Sequence, residues 1–154
     1  MGIINTLNIE ELKQQYRETG YVVIKNLLRD EVAQAAYEAL KNRVPWEFHY
    51  REINTGRVGV VNPADLERLT PREIKRLVPT MATLKDNDFS FAYCRYTIPS
   101  GAADCPEPVR ILSDIFHYFN SDEYLGLLAD ITGDASGKEV STWCSRYDRN
   151  HHLS

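Results

Sequence analysis

The segment RYDRNHHLS, Arg146 to Ser154, sets two adjacent histidines close behind an arginine–tyrosine pair. Imidazole is the commonest protein ligand for transition metals, so His151 and His152 are the first residues to weigh as a metal site. Read as a strand, the two side chains point to opposite faces, and they share one ion only if the backbone bends. His49 and His117 fall on separate elements, and HExxH, HxH and CxxC patterns are absent. Spacing therefore gives the histidine pair a structural or surface role and assigns no metal ligand.

Nucleophilic and phosphate chemistry find less still. Cys94, Cys105 and Cys144 are an odd, widely spaced set, which fits free thiols in a reducing compartment better than a disulfide framework or a zinc site. Cys144 near His151 is the one Cys/His proximity along the sequence, and no third group orients it. No GxSxG elbow, GxGxxG turn or GxxxxGK[ST] loop occurs, so no catalytic residue is assigned. Trp46, Phe48 and Tyr50 with Phe89, Phe91 and Tyr93 have the spacing of a base-stacking platform. Without basic neighbours they read as the inward face of a sheet.

The elements that must position these residues are signalled locally. Asn8 with Glu11 makes a capping box, Ile9, Leu12 and Tyr16 share a helical face, and Gly20 stops that helix. YVVI, Tyr21 to Ile24, reads as a short buried strand. Helical spacing of Val32, Ala35, Ala36, Ala39 and Leu40 predicts a second helix from about Asp30 to Arg43, closed by Pro45. WEFHYRE, Trp46 to Glu52, alternates as a strand. Asn62-Pro63 and Thr70-Pro71 with Glu73 each open a short helix. FSFAYCRYT, Phe89 to Thr97, is a long strand followed by the loop PSGAADCPEP. Helices follow from Pro108 to Phe119 and from Ser121 to Gly133, then a final strand from Lys138 to Tyr147. The sum is an α+β fold, helices packed on an antiparallel sheet, read as one domain over residues 1–154.

Composition narrows the partners. A net charge of −4 with scattered basic residues argues against nucleic acid. The longest apolar runs are only a few residues, so no membrane span is expected. MGIINTLNIEEL lacks the organisation of a secretory leader, and the expected location is cytoplasmic.

The order of these pieces resembles the prolyl-hydroxylase-like branch of the iron(II)- and 2-oxoglutarate-dependent dioxygenases. GYVVIKNLLRDE behind a capped helix is similar to the entry of that fold. FSFAYCRYTIP, a helix, YFNSDEYLGLLADITG and a strand ending in RYDRNHHLS continue the likeness over nearly the whole chain. Arg146, Tyr147 and Leu153 match a family pattern RY-x-x-G-x-x-L, with Asn150 in the place of the glycine, which a turn accepts. The resemblance implies a double-stranded β-helix (a jelly-roll-like fold), of which this chain is the N-terminal portion, ending just before the family's HxD motif. It implies iron(II) and 2-oxoglutarate as cofactors, with ascorbate as an optional third, and hydroxylation of a protein proline or of a small molecule. Of the family's site residues it carries over Tyr147, whose hydroxyl in relatives hydrogen-bonds the 2-oxoglutarate carboxylate. Arg146 is expected on the opposite face, in a surface or salt-bridge role. No iron ligand carries over, so the chain is expected to be inactive alone.

The competing reading is a non-catalytic interaction module that keeps the same half-fold and pairs its terminal strand with another chain, as in a homodimer. An unrelated α+β small-molecule binder ranks behind both, because it leaves the ordered likeness unexplained.

Overall fold

The computed structural model describes residues 2–51, 55–77, 89–99, 105–148 and 151–153. Glu52, the loop residues 100–104 and Asn150, all used above, lie outside the described residues. The chain gathers into two compact units, Met1–Arg43 with Ile98–Thr142 and Val44–Thr97 with Trp143–Ser154.

The first unit is helical. Helix α1, Ile9–Thr19, starts where Asn8 accepts the Glu11 N–H at 3.4 Å and donates its own amide to the Glu11 carboxylate at 3.2 Å. It ends at Gly20, whose φ of 77° lies in the left-handed region that glycine enters without cost. Helix α2, Asp30–Asn42, buries Val32, Ala36 and Ala39, while Ala35 is exposed. A 3-10 turn at Glu107–Val109 leads into α5, Arg110–Phe119, and Ser121 caps α6, Asp122–Thr132, which stops at Gly133.

Two expected strands are corrected here. YVVI forms no strand: Tyr21 and Val23 are 62% and 63% exposed. A β-branched run favours extended backbone, yet a strand needs a partner, and the pairing goes to Leu28, bridged to Ile4. The Asn5 amide fixes that crossing by donating to the carbonyls of Asn26 and Leu28 at 2.8 and 3.1 Å. The final strand is also shorter than Lys138 to Tyr147. Val140 has its N–H and carbonyl taken by the side chain of Asn120, at 2.8 and 3.0 Å, in place of a neighbouring strand.

The second unit is an antiparallel sheet built from β1 (Glu47–Arg51), β2 (Val58–Val61), β3 (Phe91–Thr97), β4 (Trp143–Arg146) and β5 (His152–Leu153). The order is β2-β1-β3-β4, with β5 also on β3. Two short helices, α3 (Pro63–Leu66) and α4 (Pro71–Leu77), join β2 to β3 and begin at the expected Asn62 and Thr70. The α+β class with an antiparallel sheet stands as read.

Register decides the faces. Phe48 pairs with Cys94 and His49 with Tyr93, and cross-strand partners point the same way. Trp46, Phe48, Ala92, Cys94 and Tyr96 therefore share one face and are buried. Phe91, Tyr93 and Arg95 share the other with Glu47, His49 and Arg51, all half-buried. The two aromatic triplets thus do not make one inward face. A strand's alternation shows that it has two sides, and only pairing shows which is covered.

Candidate functional site

Tyr147 stands on the more exposed face. It follows β4 and stacks on Tyr93, ring centroids 5.5 Å apart, and is 50% exposed. On its other side Tyr93 stacks on His49 at 6.2 Å, and His49 Nε2 lies 3.2 Å from the Glu47 carboxylate. Arg95 pairs in register with both Glu47 and Ser145 and lays its guanidinium over Trp143 at 4.9 Å. Its Nε is buried without a hydrogen-bond partner among the described residues. A half-exposed phenol thus stands on a row of stacked rings, able to give a carboxylate one hydrogen bond from an aromatic wall.

The buried face carries a second constellation. Between Arg146, paired with Cys94, and His152, paired with Ala92, β3 advances past Tyr93 alone. Asp148 and His151 stand off the ladder between these two pairs. They hold each other where the His151 N–H donates to the Asp148 carbonyl and the Asp148 N–H donates to His151 Nδ1, both at 3.0 Å. His151 packs its ring on Phe48 at 5.4 Å. One ligand atom each of Cys94, Asp148 and His151 then lie within 4.8 Å of one another.

Arg146 joins this group. Its guanidinium donates to the Cys94 sulfur at 3.6 Å and to Asp148 Oδ2 at 3.1 Å, and it lies over Trp46 at 5.1 Å. This matches the expectation of a salt-bridging arginine on the face opposite Tyr147. Burial pushes the Cys94 thiol above its ordinary pKa, and the nearby Arg146 charge works against that rise.

His151 leaves the strand geometry that argued against it as a ligand, and its cysteine neighbour is Cys94, with Cys144 paired to Tyr96. In the sequence Asp148 carries no signal of its own, and Cys94 reads only as a free thiol. The only signal was the polar run DRN between two strand-like pieces. His49 and His117 do fall on separate elements, β1 and α5.

Neither face fits an iron centre of the kind implied. The 154 residues contain no HxD pair, and Cys94, Asp148 and His151 offer a thiolate, which the two-histidine, one-carboxylate triad lacks. That cluster also lies across the sheet from Tyr147. Among the described residues no helix is long and apolar enough to cross a membrane. No family model matches the chain, and no curated protein or solved structure matches it either.

Proposed function

We propose that this chain supplies the cosubstrate side of an iron(II)- and 2-oxoglutarate-dependent oxygenase, with a jelly-roll arrangement of sheets and a protein proline or small molecule as the hydroxylated substrate. Tyr147 donates its hydroxyl to a carboxylate of 2-oxoglutarate. The observation that carries the reading is Tyr147 on the more exposed face, half-exposed and stacked on Tyr93. A phenol gives an anion one directional hydrogen bond from an apolar wall.

The test is calorimetric titration of the purified chain with 2-oxoglutarate, using succinate as the comparison. Saturable one-to-one binding that Tyr147→Phe weakens about tenfold or more is expected, the range for a hydrogen bond to a charged group. Binding unchanged in Tyr147→Phe, or no binding at all, overturns the assignment.

A second reading has its own observation. β4 ends the strand order, and Val58, Val60, Trp143 and Leu153 are exposed hydrophobics of this unit. An outer strand beside apolar surface suits pairing with another chain. Light scattering behind size-exclusion chromatography separates the two: a concentration-independent monomer counts against pairing between copies.

A further inference from the structure

We infer that Cys94, Asp148 and His151 bind a thiophilic divalent cation, with zinc the best fit, in a site distinct from the Tyr147 face. The inference does not rest on the oxygenase reading. It rests on three donor types gathered within 4.8 Å at one buried sulfur.

Thiolate, carboxylate and imidazole are the ligand set from which three-residue zinc sites with an open fourth position are made. Around tetrahedral zinc, bonds of about 2.0–2.3 Å place donor atoms roughly 3.3–3.8 Å apart. Ligand atoms already within 4.8 Å of one another need to close by about an ångström, which side-chain rotation of Asp148 and His151 supplies. Cys94 sits in the middle strand of the sheet and does not have to move.

The imidazole is held as metal-binding imidazoles are held. His151 Nδ1 lies between the Asp148 N–H at 3.0 Å and the Arg146 carbonyl at 3.4 Å. Metal binding takes the tautomer with the proton on Nδ1, which donates to the Arg146 carbonyl and leaves the Nε2 lone pair for the ion; the Asp148 N–H then gives up Nδ1 as its acceptor. A ring nitrogen anchored on backbone is the usual outer support of a histidine ligand.

The site also has a resident cation. The Arg146 guanidinium touches both the Cys94 sulfur and the Asp148 carboxylate, so positive charge is already the complement of this pocket. Arg146 is 42% exposed at its side chain and can swing into solvent as a metal enters. Metal binding then exchanges one cation for another and releases the Cys94 proton to solvent. Because the thiol must lose its proton to bind, metal affinity increases with pH.

Cobalt(II) is the probe, added to the reduced full chain. One cobalt per chain is expected, with the near-ultraviolet thiolate-to-cobalt charge-transfer band, and zinc displaces it. Cys94→Ser loses the band, Asp148→Asn and His151→Gln each weaken binding about tenfold or more, and Cys144→Ser leaves the band unchanged. Arg146→Gln tightens binding, since the competitor is gone. The Asp148 and His151 variants alter exposed and half-buried groups, so the test survives if Cys94→Ser does not fold. Absence of saturable cobalt binding, a band that persists in Cys94→Ser or vanishes in Cys144→Ser, or weaker binding by Arg146→Gln overturns the inference.

Discussion

The rings of Tyr93 and Tyr147 stack at 5.5 Å, 23° from parallel, on one face of the sheet, while the next pair in register, Cys94 and Arg146, meets on the other. The two proposed ligand sites stand on opposite faces of one β3–β4 ladder because side chains alternate along it. Binding at one face can then be read without disturbing the other.

The two tryptophans supply that readout. Trp143 lies under Arg95 on the Tyr147 face, and Trp46 lies under Arg146 on the Cys94 face. 2-Oxoglutarate is expected to change the emission of Trp143, and zinc that of Trp46. In Trp143→Phe the fluorescence response to 2-oxoglutarate disappears and the response to zinc remains. A 2-oxoglutarate response that survives in Trp143→Phe puts the cosubstrate on the wrong side of the sheet.

Phe48 is the packing centre of the sheet unit. It is 1% exposed, stacks on Tyr50 at 5.8 Å and supports the His151 ring. Phe48→Ala is expected to cost about 3–5 kcal/mol, the range for deleting a buried aromatic ring. Urea denaturation followed by far-ultraviolet circular dichroism measures it. A loss below about 1 kcal/mol means that the site collapses around the missing ring or that the ring is not buried.

Local signals in the sequence proved legible, and long-range ones much less so. Asn8 with Glu11, Asn62, Thr70 with Glu73, Ser121, Gly20 and Gly133 all sit where their side chains or φ preferences place them, because a cap is settled within four residues. The strand around Cys94 was legible as a strand. Its covered side was not, because Ser90, Ala92 and Cys94 look less like a core than Phe89, Phe91 and Tyr93 do. The buried side was chosen by the pairing of Cys94 with Phe48 and Arg146, partners distant in sequence. The meeting of Cys94, Asp148 and His151 depends on the long-range pairing of Arg146 with Cys94 and of His152 with Ala92, which no local preference records.

The Thr70–Glu73 cap gives an acid-side prediction. The Glu73 carboxylate accepts from the Thr70 hydroxyl at 2.7 Å and from its N–H at 2.8 Å, and these bonds hold its pKa below the ordinary carboxylate value. A depressed folded pKa means that the cap stabilises above the unfolded carboxyl's pKa and is lost as pH falls through the folded one. Thr70→Val removes the largest cause and should return the Glu73 titration toward its ordinary position, read by carboxyl carbon NMR. An unshifted Glu73 titration in that variant assigns the depression to another source.

Tyr118 gives the alkaline counterpart. Burial, then its hydrogen bond to the Glu123 carboxylate at 3.0 Å and the charge of that group, push the phenol from 10.0 up to about 12. The fold favours the neutral phenol. Its contribution is therefore intact below the ordinary tyrosine range and drains away as pH rises from about 10 through about 12. Ultraviolet titration of tyrosinate should show one late step that Tyr118→Phe removes. Glu123→Gln should bring that step down only part of the way, because burial is the larger cause and stays. If Glu123→Gln restores an ordinary titration completely, the carboxylate is the main source of the shift and Tyr118 is wetter than its surroundings suggest.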